Sequence, residues 1–337
     1  MDRIKKVINI KYVLFFIILV LVPVFLTDNY LLQSYIIILF YAYLASAWNI
    51  IGGYAGQMSM GHAAFTGIGA YVSSVLFMQY NVSPWLGMFA GGLVAAVTGV
   101  ITGFPTFRLR GVYYTLSTIA LVNITRLYFL ANDTILGFPT GGPLGVKIKW
   151  KGGHFIDMQF LEKKYYAFII VGMLAVVMLV SSYIKRSRTG YYLAAITTNQ
   201  LAAASLGVDH TYYKLVAQSI SCFFTAIGGS FYAQLILYID PNRIMGSDLS
   251  LEIAVMALVG GSSTLFGPVL GALILVPINE WCRVVLGARM AGLALVIYGL
   301  VLMLVVYYLN RGLLNGIQKL LSKVYAKIRV KGAKELE

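Results

Sequence analysis

Long apolar runs recur along the chain from Tyr12 to Tyr308, and they constrain the fold more than any other feature. The runs lie at 12–27, 31–51, 60–79, 85–104, 112–131, 165–184, 215–238, 251–262, 265–282 and 290–308. A helix needs roughly 20 mostly apolar residues to cross a bilayer. With 59% hydrophobic and 11% charged residues, the composition excludes an ordinary soluble domain. The runs are continuous rather than alternating, so they predict an all-α, polytopic helical membrane protein and not a β-barrel.

Basic residues at the ends of the runs predict the orientation of the chain. They cluster before the first run and after the last one, so both termini are expected in the cytoplasm and the number of crossings is even. About ten membrane segments satisfy this rule and place Arg108, Arg110 and the segment 185–214 inside. The loop 132–164 would then lie outside with five lysines, against the rule. Eight crossings plus re-entrant runs therefore stay open as the alternative.

The two ends of the chain have different predicted roles. The basic start, MDRIKKVINIK, precedes an apolar run without a small-residue cleavage site, which predicts a retained helix rather than a signal peptide. Residues 1–310 are predicted to form the membrane domain, and 311–337 a basic amphipathic cytoplasmic tail on the inner leaflet. The net charge of +14 comes from span ends and termini, a pattern that favours membrane lipid and not nucleic acid as the partner.

The stretch from Ser46 to Tyr71 is rich in Gly, Ala, Ser and Thr. Broken backbone at membrane depth must be buried in protein or line a cavity. A second stretch, 259–272, repeats the Gly-Gly break before a small-residue helix, as an internal duplication would, although Gly-rich membrane segments often look alike. The two stretches are expected to meet near the membrane centre and to line a substrate passage with Gln57, Ser59, His62, Thr66, Ser262, Ser263 and Thr264. Tight helix packing is the alternative, and for His62 a hydrogen bond to a freed backbone carbonyl is the simpler explanation.

Three charged residues in or beside apolar runs are further candidates. Arg126 is expected either to extend to the interface or to bind a substrate carboxylate. Glu252 and Glu280 flank a region of short runs, where they are expected to cap helices, pair with Arg283 or face a cavity.

The sequence lacks the residue patterns that ATP binding, metal binding and catalysis require. There is no G-x-x-x-x-G-K-[ST] segment, so ATP would have to bind another polypeptide. His62, His154 and His210 are isolated from one another and from the cysteines, which predicts no metal site. No nucleophile motif or pair of acids is present, so neither catalytic residues nor a cofactor nor enzymatic activity is expected.

The segment 185–214 is the longest one predicted on the cytoplasmic side. Its apolar spacing predicts a short helix over 192–207, and Gly207 is placed as a helix C-terminal glycine. The small residues from Ala202 to Ser205 would let a partner protein approach closely. An ordinary connecting loop is the alternative.

The chain resembles a known family of transport proteins. Ala202-Ala203-x-x-x-Gly207 is similar to the coupling motif of bacterial ABC importer permeases. The wider resemblance is to LivM-type permeases for branched-chain amino acids, in consistent order over about residues 30–310. Its motifs are the runs at 52–71, 105–118, 140–145, 188–190, 206–209 and 258–272.

This resemblance implies an importer permease in the bacterial inner membrane. The implied partners are ABC ATPase subunits, a second homologous permease and an extracytoplasmic binding protein, with branched-chain amino acids as substrates. The implied ATPase-coupling residues are Asn199, Leu201, Ala202, Ala203, Leu206 and Gly207. Thr198, Gln200 and Ala204 stand where the family usually has acidic residues, and Leu201 where the general motif has Glu, which favours docking by shape over a salt bridge. A permease for urea or short amides, or an ion-coupled secondary transporter, remains the alternative function.

Overall fold

The computed structural model describes residues 10–135 and 137–286 and the single positions 296, 297, 299, 300 and 303. Over these residues the chain is mainly helical, and the longest non-helical stretch is 132–162 apart from two short 3-10 turns. The helices are α1 Ile10–Phe25, α2 Asn29–Asn49, α3 His62–Tyr80, α4 Pro84–Thr106, α5 Val112–Ala131, α6 Lys163–Arg186, α7 Arg188–Thr198, α8 Gln200–Ser205, α9 His210–Ile236, α10 Pro241–Ile244, α11 Ser247–Gly261 and α12 Gly267–Leu286. Two short antiparallel pairs accompany them, β1 Thr134–Ile135 with β2 Phe138–Pro139 and β3 Val146–Lys147 with β4 Tyr238–Ile239.

The helices follow nine of the ten apolar runs. Among the described residues, five helical stretches are long and apolar enough to cross a membrane: Asn29–Tyr54, Pro84–Thr106, Lys163–Arg186, His210–Ile236 and Pro241–Gly261. Shorter apolar helices cover Leu14–Phe25 and Gly267–Cys282. The all-α, polytopic fold is therefore confirmed. The tenth run, apart from the single positions, and the predicted amphipathic tail lie outside the described residues.

Side-chain caps set the starts of two long helices. Asp28 accepts a hydrogen bond of 2.8 Å from the Tyr30 backbone N at the start of α2. Asp209 accepts two of 3.0 Å from the backbone N atoms of Thr211 and Tyr212 at the start of α9. Each cap satisfies amide groups that the first turn of a helix leaves unpaired.

Helix α9 packs against α3 through direct backbone contact. A Cβ at Gly229 would overlap the carbonyl of Thr66, and one at Gly69 would overlap the carbonyl of Ala226. Small residues permit such close packing inside a membrane, where neighbouring helices gain little from burying apolar area. This contact places the start of α3, with His62, in the middle of the bundle.

Candidate passage and coupling surface

The break between α2 and α3 is stabilised by side chains of neighbouring elements. The chain leaves α2 through a π-helical turn, Ile50–Tyr54, and re-enters a helix at His62. In between, the Met60 backbone N donates to Thr118 Oγ1 at 3.0 Å, and Thr115 Oγ1 donates to the Met58 carbonyl at 2.9 Å. Two threonines of α5 thus satisfy backbone groups that the irregular segment exposes, which is the condition for broken backbone at membrane depth.

His62 occupies the centre of a buried hydrogen-bond chain. Its Nδ1 lies 3.2 Å from Ser59 Oγ and its Nε2 lies 2.8 Å from Ser221 Oγ. Ser221 Oγ also donates to the Ala47 carbonyl at 2.7 Å. Because the single Ser221 hydroxyl proton is used there, His62 Nε2–H must donate to Ser221, and Nδ1 accepts from Ser59. The ring thus joins α3 to α9 rather than donating directly to a freed carbonyl.

Ser59, His62 and Thr66 all have 0% exposure. Thr66 Oγ1 donates to the His62 carbonyl at 3.0 Å, a bond within α3. Gln57 is half-buried, and its Nε2 donates to the Ala55 carbonyl at 3.2 Å. In the part of the chain that the structure describes, these bonds hold the helices and the break in place. The passage role of the four residues stays a prediction.

The second break, residues 262–266 between α11 and α12, does contact the first one. Ser263 Oγ donates to the Gly53 carbonyl at 2.7 Å, and its backbone N donates to Asn49 Oδ1 at 3.0 Å. Asn49 Nδ2 in turn donates to the Thr264 carbonyl at 2.8 Å. Ser263 holds this position with φ of 64°, in the left-handed region that non-glycine residues rarely adopt. Ser262 and Thr264 beside it are half-buried.

A lysine at the end of α6 marks the position of this contact in the bundle. Lys185 Nζ, at the last turn of α6, donates to the Ser263 carbonyl at 2.9 Å. The contact therefore lies at the end of the bundle where α7 begins. In the described contacts, Ser262, Ser263 and Thr264 do not join Ser59, His62 and Thr66. The π-helical turn Ile50–Tyr54, which follows α2, carries Gly52 and Gly53 towards this end of the bundle.

The coupling segment consists of two short helices, so the prediction of one helix over 192–207 was wrong. Asn199 interrupts it with φ of −155° and ψ of 106°, and its Oδ1 accepts from the backbone N atoms of Leu201 and Ala202 at 3.0 and 3.1 Å. That cap starts α8 as a new helix. Gly207 ends it, as predicted: with φ of 82° its N donates to the Ala204 carbonyl, and the Val208 N donates to that of Ala203. This is a Schellman motif.

The exposed face of α8 agrees with the expected one except at Ala203. Leu206 is 85% and Leu201 63% exposed, and Asn199, Ala202 and Gly207 are exposed as well. Ala203 is only 4% exposed, so it faces its own protein and is not accessible to a partner. The correction follows from the helix period, because a six-residue helix lying on the bundle must turn one of its faces inward.

Hydrogen bonds tie the coupling segment to the bundle at two places that sequence reasoning missed. Thr197 Oγ1 donates to the Tyr54 carbonyl at 3.1 Å, next to the first break. Lys214 Nζ donates to Gln200 Oε1 at 3.0 Å and is only 2% exposed. Neither pair has a local sequence signal, because the two partners come from different elements.

The isolated charges also have defined positions. Arg126 Nη2 lies 3.4 Å from Asn123 Oδ1, which accepts from Ser247 Oγ at 3.3 Å, so Arg126 lies at the α5–α11 contact. Glu252 hydrogen-bonds the Tyr41 side chain. Glu280 lines a cavity, one of the three roles expected for it. Over the described residues, no group of three or more His, Cys, Asp or Glu side chains could hold a metal ion.

These features together define a polytopic helical membrane protein with two broken segments and a folded segment at one end of the bundle. The sequence profile of the family described as branched-chain amino acid transport system / permease component matches residues 26–306. The chain belongs to this family, which is a transport permease component and not an enzyme.

Two relatives are both described as the high-affinity branched-chain amino acid transport system permease protein LivM, from Salmonella typhimurium and Escherichia coli. Each is 28% identical over 279 residues, which cover 74% of this chain and 64% of the relative. The chain thus matches a little under two thirds of their length. No solved structure matches it. The family and the apolar helices make it a multi-pass protein of the bacterial inner membrane.

Proposed function

We propose that this protein is the permease subunit of an ATP-driven importer of branched-chain amino acids. In this proposal separate ABC ATPase subunits hydrolyse ATP, a second homologous permease completes the passage, and an extracytoplasmic binding protein delivers the substrate. The observation that carries the proposal is the coupling segment, which presents apolar side chains outward while it is bonded inward to the first break. A transporter that works alone has no use for such a surface.

The outward face of α8 suits docking by shape. Leu201 lies on α8 and Leu206 directly follows it, and both apolar side chains are exposed. Gln200 is uncharged and already bonded to Lys214, so it supplies no salt bridge to a partner. Burial of each leucine side chain against a partner would contribute about 1.5–3 kcal/mol to docking.

The hydrogen bonds of the segment provide a route for motion from an ATPase to the membrane. Movement of α7 acts on the first break through the Thr197–Tyr54 bond. Movement of the adjoining end of α6 acts on the second break through the Lys185–Ser263 bond. A displacement of the coupling segment would therefore reach both breaks together, as a gate controlled by ATP requires.

The proposed passage runs beside these breaks. Gln57, Ser59, His62 and Thr66 would supply its polar groups from one side, and Ser262, Ser263 and Thr264 from the other. Ser263 is exposed and Gln57 half-buried, whereas Ser59, His62 and Thr66 would become accessible only after α3 and α9 separate.

The test is purification of the complex and reconstitution of uptake. The full chain, produced with its neighbouring genes, should co-purify with two ATPase subunits and a second permease. In proteoliposomes it should import leucine, isoleucine or valine only with internal ATP and the external binding protein. Uptake that follows an ion gradient without ATP would overturn the proposal in favour of a secondary transporter. Import of urea or short amides alone would overturn the substrate assignment.

A further inference from the structure

A cavity of about 270 Å³ lies at the end of the bundle opposite the coupling segment. It is lined by the first three turns of α2, the last turns of α9, and parts of α10, α11 and α12. Binding sites for small molecules begin at roughly 300 Å³, so a cavity of this size suits a small metabolite rather than a peptide. It belongs to neither break and contains none of the residues assigned above to the passage.

Charges of opposite sign line this cavity from two different helices. Arg243 comes from α10 and Glu280 from α12. Tyr41 of α2 also lines it, hydrogen-bonds Glu252 and lies within electrostatic reach of Arg243. Arg243 is exposed and Glu280 half-buried, so both side chains can be reached by a ligand that enters from this end of the bundle. A cation and an acid that line one cavity match a ligand that carries both charges.

The rest of the wall is divided between apolar and small polar groups. Ile37, Phe40, Ile244 and Leu249 provide apolar surface, and Gln33 and Ser34 provide neutral hydrogen-bonding groups. Phe40 and Ile244 are 3% and 2% exposed, so they form the floor of the cavity. An apolar floor beneath a charged rim fits a molecule with a charged head and an aliphatic tail.

We propose that this cavity binds the substrate as a zwitterionic aliphatic α-amino acid. The Arg243 guanidinium binds the carboxylate, the Glu280 carboxylate binds the ammonium group, and the aliphatic side chain packs on Phe40 and Ile244. The proposal rests on the proposed function for the choice of substrate. It adds the site that receives the amino acid, on the side of the bundle away from the coupling segment.

Protection of an introduced thiol in the assembled transporter tests the site. Ser34→Cys lies in the cavity wall, and Gln79→Cys, exposed near the end of α3, is the control outside it. The native Cys222 and Cys282 are buried and give a low background. L-leucine at about ten times its apparent Kd should slow modification of Ser34→Cys about tenfold and leave Gln79→Cys unchanged. Equal rates with and without leucine would overturn the proposal.

Two leucine analogues separate the roles of the charges. The analogue without the ammonium group is 4-methylpentanoate, and the one without the carboxylate is 3-methylbutylamine. In the Ser34→Cys background both should protect about tenfold more weakly than leucine. Glu280→Gln should remove leucine's advantage over 4-methylpentanoate, and Arg243→Gln its advantage over 3-methylbutylamine. Lys163→Gln, a loss of charge outside the cavity, should change neither ratio.

These ratios keep the result independent of overall folding. A variant that merely damages the structure weakens all three ligands together, so ratios that stay at the wild-type value would overturn the assignment. Protection by 4-methylpentanoate equal to that by leucine would show an anion site only and would also overturn it. Leucine protection without ATP-driven uptake would reject the proposed function but support the binding site. ATP-driven uptake without protection would support the proposed function but reject the binding site.

Discussion

Asn49 and Ser263 lie 214 positions apart in the chain and are joined by a hydrogen bond of 3.0 Å from the Ser263 backbone N to Asn49 Oδ1. The same side-chain amide donates to the Thr264 carbonyl at 2.8 Å. One amide therefore satisfies both a donor and an acceptor of the second break. Since Asn49 is the last residue of α2, the first break begins where the second one is held.

Replacing Asn49 with Ala should destabilise the protein, because it leaves the Ser263 N and the Thr264 carbonyl without this partner. Both hydrogen bonds are only partly buried, so the loss of each should cost about 0.5–1.5 kcal/mol. The measurement is the apparent unfolding temperature of the purified protein in detergent. Asn132→Ala is the control, since the side-chain amide of Asn132 donates only an exposed hydrogen bond to the Tyr128 carbonyl, at the end of α5. Equal unfolding temperatures for the two variants would contradict the role given to Asn49.

A charge on the outer face of α8 should disrupt coupling without unfolding the protein. Leu206→Asp should lower ATPase co-purification about tenfold, because it replaces an apolar side chain that docking would bury with a charge that must lose its hydration. Leu161→Asp is the matched control, since Leu161 is 87% exposed at the opposite end of the bundle. Ala203→Trp should instead lower the protein's own stability, because Ala203 is buried. A normal ATPase yield with Leu206→Asp would reject the docking face.

Lys214 offers a substitution that should stabilise the coupling segment. Gln200→Glu would turn the bond from the Lys214 ammonium into an ion pair, because a carboxylate would replace the neutral amide oxygen as the acceptor. Lys214 is nearly buried and lies near a second positive charge, Arg110, so an acid partner relieves repulsion as well. The unfolding temperature should rise with Gln200→Glu and fall with Gln200→Leu. The opposite order would show that Gln200 does not support Lys214.

Cysteine accessibility should separate a passage from simple helix packing at the breaks. Ser263→Cys should react with small thiol reagents in the resting state, because Ser263 is exposed. Ser59→Cys should be unreactive at rest, because Ser59 is fully buried, and should react during turnover if α3 and α9 separate. The same membranes should be tested with Ser59→Ala and Ser263→Ala for uptake. Normal uptake by both alanine variants, together with a Ser59→Cys thiol that is unreactive in every nucleotide state, would show that these residues serve only helix packing.

The expected orientation predicts opposite sidedness for two exposed positions. Thr198→Cys in the coupling segment should be labelled by an impermeant reagent only from the cytoplasmic side, and His154→Cys in the long loop only from outside. Ten crossings require this, because an odd number of spans lies between the two positions. Labelling of both from one side would defeat that topology.

The sequence by itself determined the positions of the spans and the local signals at helix ends. The predicted run at 112–131 is α5, Val112–Ala131, and the Gly207 terminus is a Schellman motif. Both follow from local causes, since the length of an apolar run and the conformational freedom of one glycine need no distant partner. Asn199 was also a readable N-cap signal, and missing it merged α7 and α8 into one helix.

Only the tertiary structure decided which polar groups meet. The bond from Asn49 to Ser263, the Thr197–Tyr54 bond and the cavity shared by Arg243 and Glu280 each join elements far apart in the chain. The same holds for the inward turn of Ala203 and for the position of the glycine breaks at the coupling end. In a membrane, apolar residues can face either lipid or protein, so hydrophobicity locates each helix but does not orient it. Close packing and the need to satisfy every buried polar group determine its neighbours.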